Sequence, residues 1–266
     1  MPGPNQITSA NLMRLLGTPD APQIIDLRTP DDANADPRTI PTARRLPYQN
    51  IADHVETLRG HHIILSCQRG AKLSEGAAAL LRCHGLRAET LAGGHLAWAA
   101  AALPLTPAAA LPASDLWVTR HRPKIDRIAC PWLLRRFVNP AARILYVAPS
   151  DVLAVAERFN ATPFDIEGTF WSHRGDTCTF DTMLTEFGLQ TEALARLALV
   201  VRAADTDRHD LSPQAAGLLA LSVGLSRMFR DDLAQLAAGL NLYDALYRWA
   251  RDGHEESHDW PAGRAE

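Results

Sequence analysis

Cys67 is the residue of this sequence best placed to do chemistry. It follows the apolar run 62–66, which indicates a buried strand, and it opens the loop 67–72, after which a helix begins near Ser74. Gly70 allows such a loop to curl, so that its backbone N–H groups and the positive end of the helix dipole face one centre. That field lowers the pKa of a thiol. The sequence therefore predicts a thiolate nucleophile in a loop that holds an anion.

The other residues of the loop have distinct expected roles. The Cys67 thiolate would attack a sulfane sulfur, and the persulfide anion would then be held by backbone amides. Arg69 and Lys72 add positive charge that steers donor and acceptor. The amides expected to hold the anion are those of Gln68, Gly70 and Ala71. The alternative interpretation is a small buried cysteine at the end of a strand, which is the usual setting of a lone cysteine.

Strand and helix signals alternate through the first part of the chain. Apolar runs at 23–27 and 62–66 predict buried strands, 88–91 is a third strand candidate, and helical patterns separate them. This alternation is typical of a parallel α/β sheet, which binds ligands at the carboxyl ends of its strands. Cys67 would lie at such an end. Cys83 falls within the helical pattern that follows the loop and is expected in the core.

This first part of the chain resembles the rhodanese family. The resemblance covers nearly all of residues 1–105 and implies an α/β rhodanese-like domain, a parallel sheet flanked by helices. The residues that carry it are, in order, Ile24-Ile25-Asp26-Leu27-Arg28, Ile40-Pro41-Thr42-Ala43 followed by Pro47, the Cys67-x-x-Gly70-x-Lys72 loop, and Leu91-Ala92-Gly93-Gly94 with Trp98 and Leu103-Pro104. Leu73 departs from the pattern, since many relatives have Ser or Thr there.

The resemblance also narrows the chemistry. The loop is similar in length to that of sulfurtransferases, whereas related phosphatases and arsenate reductases have a longer one, so sulfur is favoured over phosphate or arsenate. It implies that Cys67, Arg69 and Lys72 are catalytic, that a small donor such as thiosulfate and a thiol acceptor are the partners, and that sulfur transfer requires no cofactor. We expect Asp26 and Arg28 to form an ion pair that braces the loop.

Composition excludes several classes of protein. The chain has 266 residues, 47% of them apolar, which is enough for two domains with sizeable cores. A net charge of −3 gives no general attraction to nucleic acid or membranes. Four scattered cysteines without a CxxC pair argue against a disulfide scaffold or a thiolate zinc knuckle. With no signal-peptide pattern and with prolines interrupting the longest apolar stretch, we expect a cytoplasmic protein without a membrane partner.

A segment rich in proline and alanine divides the chain. It predicts a rhodanese-like domain at 1–105, a semi-stiff linker or wrapping strap at 106–116, a second domain at 117–252 and a flexible, charged tail at 253–266. The second domain shows mostly helical patterns with few strand signals, so we expect a mainly α (α+β) fold. In it, Asp126 is expected to cap a helix over 127–138.

The start of the second domain is dense in positive charge. Arg120, Lys124 and Arg127 precede or begin the predicted helix, where the helix dipole disfavours cations. This suggests an anionic partner or acidic neighbours. The sharper interpretation is an oxyanion or nucleic-acid patch, and the simpler one is a solvated basic face.

Scattered polar residues of the second domain could bind a metal. His173, Cys178, Asp205 and His209 have the side chains that a divalent transition metal prefers. Asp205 and His209 are four residues apart and would share a helix face if the helix continues that far. The alternative is a polar helix end with capping carboxylates and a loop histidine that is satisfied locally.

The second domain resembles the C-terminal domain of ChrB-type chromate-resistance proteins. The matching residues are Arg120-x-x-Pro123-Lys124-Ile125-Asp126-Arg127-Ile128-Ala129-Cys130-Pro131-Trp132-Leu133, Ala161-Thr162-Pro163-Phe164-Asp165, His173-Arg174-Gly175-Asp176 with Cys178-Thr179-Phe180, Ala204-Asp205-Thr206-Asp207, and Leu242-Tyr243-Asp244-Ala245-Leu246-Tyr247. The resemblance implies an association with chromate resistance. Some relatives are chromate-responsive regulators, but these carry a different N-terminal region.

Two functional interpretations follow from the sequence. In the first, the protein is a sulfurtransferase whose Cys67 forms a persulfide, coupled to a second domain that binds a divalent metal or an oxyanion such as chromate. In the second, it is a chromate-responsive sensor or transcriptional regulator that uses the rhodanese fold as a binding module. The net negative charge and the lack of a clear helix-turn-helix disfavour DNA as a partner. A scaffold that binds metal without turnover is a third option.

Overall fold

The computed structural model describes residues 3–256. Residues 257–266, most of the predicted flexible tail, lie outside the described residues. The first part of the chain contains, in order, β1 (Gln6–Ile7), α1 (Ser9–Leu15), β2 (Gln23–Asp26), α2 (Pro30–Ala35), β3 (Arg38–Thr39), β4 (Arg44–Arg45), a 3₁₀ helix (Tyr48–His54), α3 (Val55–Leu58), β5 (His62–Ser66), α4 (Lys72–Cys83), β6 (Arg87–Leu91), α5 (Gly94–Ala100) and β7 (Thr106–Pro107).

Five of these strands form a parallel sheet in the order β1-β6-β5-β2-β4. The predicted α/β fold is therefore confirmed. The central strands β2 and β5 are the two apolar runs of the sequence, because a strand covered by helices on both faces has no polar side to alternate with, and β6 contains the third strand candidate. The edge strands β1 and β4, each two residues long, were not predicted, since so short a segment has no periodicity.

Helix α4 carries the loop of Cys67 at its N-terminus. Its buried residues are Ser74, Ala77, Ala78 and Leu81, which recur with the helical period and face the sheet. Cys83 lies off this stripe and is exposed, so its predicted place in the core is wrong.

The second part of the chain has a small sheet and a large helical portion. Its elements are β8 (Leu116–Arg120), α6 (Asp126–Leu133) continued by a π-helical turn (Leu134–Val138), β9 (Arg143–Val147), α7 (Val152–Phe159), β10 (Thr162–Pro163), α8 (Thr179–Glu186), α9 (Glu192–Asp205), α10 (Ala215–Met228) and α11 (Asp232–Arg248) with a final π-helical turn (Trp249–Gly253). The strands pair in parallel in the order β10-β8-β9. This confirms the predicted mainly helical α+β fold.

The junction between the two parts is packed. At the start of the predicted linker, β7 pairs in antiparallel register with β3 of the first part. One apolar core continues from Leu12 and Trp98 of the first part to Trp132 and Phe137 of the second. A direct polar contact joins them as well, since the Arg251 guanidinium donates to the carbonyl oxygen of Arg14 at 2.8 Å.

Among residues 3–256, no helix combines the length and the apolar character needed to cross a membrane. The helices α9, α10 and α11 are the longest, with 14, 14 and 17 residues. A span needs about 20 apolar residues.

Candidate functional site

Cys67 lies at the carboxyl end of β5, where it is 6% exposed. Its Sγ atom is 3.3 Å from the hydroxyl oxygen of Ser74, in the first turn of α4, and 3.7 Å from the carbonyl oxygen of Ala71. The thiol is therefore enclosed by its own loop and by the start of the helix that follows.

The beginning of α5 fixes the backbone of this loop. The N–H of His95 donates to the carbonyl of Cys67 at 3.0 Å, and the N–H of Leu96 donates to the carbonyl of Gln68 at 3.1 Å. The two segments approach so closely that a Cβ on Gly94 would lie 2.2 Å from the Cys67 carbonyl oxygen and 2.4 Å from the Gly70 nitrogen. Gly70 and Gly94 also have positive φ angles, +64° and +60°. Glycine at both positions is thus a requirement of the loop's shape.

Hydrogen bonds make the Cys67 thiol more acidic than an ordinary cysteine. Burial raises its pKa, but bonds from the hydroxyl and backbone of Ser74 lower it, and so do backbone bonds from Ala71 and Arg69. The net effect is a pKa below its ordinary value of 9.0. Because the thiolate is the nucleophilic form, this environment activates Cys67.

Ser74→Ala is expected to raise the pKa of Cys67, since a hydroxyl that donates to the thiolate stabilises the charged form. The measurement is the rate of iodoacetamide alkylation against pH, followed by intact mass in a Cys83→Ser background that removes the exposed thiol. Ser66→Ala is the matched control, because that hydroxyl contacts the Cys67 carbonyl and not its sulfur. An unchanged midpoint in Ser74→Ala would contradict the assigned hydrogen bond.

The other predicted residues of the loop occupy different positions. Arg69 and Lys72 are exposed beside the mouth of the loop, where their charges can meet an incoming anion. Ala71 is the predicted amide whose backbone bonds to Cys67. Gln68 is half-buried, and its Oε1 has no hydrogen-bond partner in the part of the chain that the structure describes. Gly70 lies against the backbone at Gly93 and Gly94. Sequence reasoning missed Ser74, although its place two residues into a helix that follows a nucleophile was a usable signal.

Asp26 and Arg28 form a buried ion pair, with Arg28 Nη2 2.8 Å from Asp26 Oδ2 and both side chains at most 6% exposed. The remaining donors of Arg28 bind the carbonyl oxygens of Asp36 at 2.9 Å and Arg38 at 2.8 Å. The expectation that this pair braces the Cys67 loop needs correction. The hydrogen bonds of Arg28 fasten the segment 36–38, which includes the first residue of β3.

A second polar cluster lies in the C-terminal part of the chain. The His173 ring nitrogen Nε2 is 3.2 Å from Asp205 Oδ2, 3.3 Å from Asp165 Oδ1 and 3.5 Å from Asp126 Oδ2. Asp126 and Asp165 are buried, Asp205 is partly buried and His173 is exposed on one side. The cluster borders a cleft of about 500 Å³ lined by Arg120, Asp165, Glu167, Gly168, Thr169, Ser172 and His173.

Several elements bring these four residues together. Asp126 is the first residue of α6 and follows Ile125, whose φ of +39° is rare for a β-branched residue. Asp205 is the last residue of α9, and its Oδ1 accepts the backbone N–H of Asp126 at 3.4 Å. Asp126 is thus not the helix cap that the sequence predicts, because the left-handed turn at Ile125 moves it into the interior.

The cluster perturbs its own titration. Burial, together with the nearby charges of Asp205 and Asp165, raises the pKa of Asp126 to about 7, although His173 opposes this rise. Hydrogen bonds with Asp126, Asp165 and Asp205 raise the pKa of His173 to about 12, against the effect of burial. Strong mutual shifts of this kind are common at functional sites.

Two of the four predicted metal ligands belong to this cluster, His173 and Asp205. Cys178 is buried nearby, but its thiol donates to Asp181 at 3.3 Å and burial keeps its pKa well above the ordinary value. His209 lies in a 3₁₀ turn with Nε2 3.7 Å from Asp207. The predicted shared helix face of Asp205 and His209 is wrong, because α9 ends at Asp205.

Asp126 and Asp165 were missed as members of the cluster. Both stand in the motifs that match the ChrB-type pattern, but they are far apart in the chain, so spacing gave no sign that they meet. Of the predicted basic patch, Arg120 and Arg127 bind Asp165 Oδ2 at 2.8 and 3.3 Å, whereas Lys124 is exposed. Asp165 is thus an acidic neighbour of the kind that the cations at the start of the helix suggested.

Two known protein families match separate parts of the chain. The family described as "ChrB, C-terminal domain" matches residues 117–250, and the family described as "Rhodanese-like domain" matches residues 8–101. A relative, Protein ChrB from Cupriavidus metallidurans, is 33% identical over 132 residues. That match spans 49% of this chain and 39% of the relative's length.

Solved structures similar to this chain correspond to its first part. A rhodanese-like domain protein from Staphylococcus aureus is 26% identical, with a TM-score of 0.33, over 36% of this chain and 91% of that one. Thiosulfate sulfurtransferase from Pseudomonas aeruginosa is 28% identical, with a TM-score of 0.34, over 39% of this chain and 19% of that one. The match to the ChrB C-terminal domain covers about half of the chain. The chain therefore belongs to the ChrB C-terminal domain family and carries a rhodanese-like domain ahead of that domain.

Proposed function

We propose that this protein is a chromate-resistance-associated sulfurtransferase in which Cys67 carries a persulfide. The observation that supports this most directly is the hydrogen bonding of Cys67 Sγ, which lowers the pKa of the thiol within a loop of exposed cations. The match to rhodanese-like domains supports sulfur as the transferred atom, and the match to the ChrB C-terminal domain supports the association with chromate resistance.

The proposed reaction has two displacements at sulfur. The Cys67 thiolate attacks the outer sulfur of thiosulfate, a new S–S bond forms, and sulfite leaves with the electron pair of the broken S–S bond. An acceptor thiolate then attacks the outer sulfur of the persulfide, and the Cys67 thiolate leaves. The loop amides bind the persulfide anion in between, and Arg69 and Lys72 attract the anionic donor. Neither displacement uses a cofactor, and both need the reduced thiol that a cytoplasmic setting maintains.

The proposal predicts a one-sulfur adduct on the protein after exposure to thiosulfate. Intact mass of the full chain should show the adduct in the Cys83→Ser variant and no adduct in the Cys67→Ser variant. Both variants keep the buried Cys130 and Cys178, and they differ only in whether Cys67 or Cys83 remains. Cyanide should remove the adduct by taking up the outer sulfur. Absence of the adduct with thiosulfate and with other sulfane donors would refute sulfur transfer at Cys67.

The alternative, a regulator that binds DNA through the basic segment, fits the contacts less well. Arg120 and Arg127 bind Asp165, and Arg136 binds Asp244 at 2.7 Å. Arg122 donates to the carbonyl of Ser226 at 2.6 Å, at the end of α10. These cations are engaged within the protein, so they offer little to phosphates. A salt-dependent mobility shift of promoter DNA by the full chain would favour the regulator instead.

A further inference from the structure

The contacts of His173 are unusual for a hydrogen-bonded histidine. Its Nε2 atom lies at 3.2 to 3.5 Å from oxygens of three separate carboxylates, those of Asp126, Asp165 and Asp205. One ring N–H can point at a single acceptor, and hydrogen bonds weaken steeply away from linearity. A single N–H of His173 therefore cannot make a good hydrogen bond to all three carboxylates at once.

The same distances suit a shared metal ion. Ligand atoms about 2.1 Å from one cation are separated by about 3.0 Å at a right angle and about 3.4 Å at the tetrahedral angle. The ring nitrogen and one oxygen each of Asp126 and Asp205 all lie within 4.8 Å of one another. An ion bound between them would bond to all three without requiring a change of fold.

A buried polar atom at the same place lacks a partner. Asp126 is 1% exposed, its Oδ2 accepts the backbone N–H of Thr179 at 2.6 Å, and its Oδ1 has no hydrogen-bond donor within the described range 3–256. A carboxylate in this setting is costly unless it is paired or coordinates a metal. This observation is independent of the distances around His173, and it also favours a bound cation at this place.

Asp165 differs from the other two carboxylates because arginines neutralise its charge. Its Oδ2 binds Arg120 and Arg127, and its Oδ1 accepts the hydroxyl of Thr179 at 3.0 Å. Asp126 and Asp205 have no such cation among residues 3–256 apart from His173. The two carboxylates carry the charge that a divalent ion neutralises when the imidazole is neutral.

We propose that Asp126, His173 and Asp205 bind a divalent cation of the Mn²⁺ or Fe²⁺ class. Two carboxylates and one imidazole favour these ions, whereas a site for soft metals would use thiolates. The nearby thiol of Cys178 is directed to Asp181 instead. Three protein ligands leave coordination positions open towards the cleft, where Arg120 and Glu167 stand at the border. Such a site resembles catalytic rather than purely structural metal centres.

The decisive experiment is a Mn²⁺ titration of the full chain after treatment with a chelator, followed by the loss of the free-ion electron paramagnetic resonance signal. We expect binding of one Mn²⁺, weakened by about a hundredfold or more in His173→Gln and Asp205→Asn, since loss of an outer-shell partner alone costs about 10–100-fold. Mn²⁺ in hundredfold excess over its dissociation constant should also raise the melting temperature of the wild type by about 5–10 °C.

Two matched variants keep the test specific. Asp207→Asn removes an exposed carboxylate two residues from Asp205 and should bind Mn²⁺ as the wild type does. Cys178→Ser should also bind normally. No Mn²⁺ uptake by the folded wild type, or equal affinity in His173→Gln and the wild type, would overturn the site. Loss of binding in Cys178→Ser alone would overturn the ligand set. The one-sulfur adduct on Cys67 is expected in every one of these variants. The proposed metal site and the proposed sulfur transfer are therefore tested independently of each other.

Discussion

Gly94→Ala is expected to lower the free energy of unfolding by about 2–5 kcal/mol and to reduce persulfide formation at Cys67 by at least about tenfold. The added Cβ would lie 2.2 Å from the Cys67 carbonyl oxygen, 2.4 Å from the Gly70 nitrogen and 3.0 Å from the Arg69 carbonyl carbon. All three atoms are backbone, so no side chain can turn away to relieve the contact. The loop must move, and with it the hydrogen bonds that hold the thiol. The measurements are denaturant unfolding and the one-sulfur adduct after a fixed exposure to thiosulfate.

Gly85→Ala is the matched control for this prediction. Gly85 has a positive φ of +77°, and a Cβ there would meet nothing within 4 Å. It should therefore show the cost of left-handed backbone alone, about 1–2 kcal/mol, and leave the adduct unchanged. If the two variants lose similar stability and both form the adduct at the wild-type rate, the close approach of α5 to the loop does not position Cys67.

The first domain could be predicted because its determinants are local in sequence. The strands β2 and β5 are apolar runs, β6 contains the third strand candidate, and the Cys67 loop directly joins a strand to the helix that activates its thiol. The registers of the two-residue strands and the packing of α5 against the Cys67 loop could not be predicted, since both depend on segments that meet only in the folded chain. Cys83 shows a smaller limit: a helical pattern identified its helix, but a phase error of about two residues turns a side chain from the core to the solvent.

The acidic cluster shows why the second domain was harder. His173 and Asp205 were chosen by residue type, but the carboxylates of Asp126 and Asp165 reach them through tertiary folding, and the contact of Asp126 with Asp205 joins positions 79 residues apart. Helix ends misled the prediction in the same region. Pattern alone cannot show that α9 stops at Asp205, and this stop removes His209 while it leaves Asp205 at the centre. A single sequence gives the spacing of residues along the chain, whereas such a site depends on the distances between them in the folded protein.

Arg28→Met is expected to destabilise the protein by about 3–5 kcal/mol, because it leaves the Asp26 carboxylate buried without its countercharge. Arg28 is 1% exposed in its side chain, so solvent cannot replace the guanidinium. The carbonyl oxygens of Asp36 and Arg38 lose their donors at the same time. Denaturant unfolding measures the loss, and hydrogen exchange should show the segment 36–38 opening more often than β5, which has sheet neighbours on both sides.

The double variant Asp26→Asn/Arg28→Met separates the charge from the shape. Asparagine keeps an oxygen for the backbone N–H of Arg28, which the Asp26 carboxylate accepts at 3.0 Å, and it removes the uncompensated charge. The double variant should therefore recover about 1–3 kcal/mol relative to Arg28→Met, leaving the cost of the two orphaned carbonyls. Arg38→Met is the control, since that arginine makes an exposed pair with Asp36 and should cost less than about 1 kcal/mol. If the double variant is no more stable than Arg28→Met, the guanidinium acts through the carbonyls of segment 36–38 and the buried charge of Asp26 contributes little.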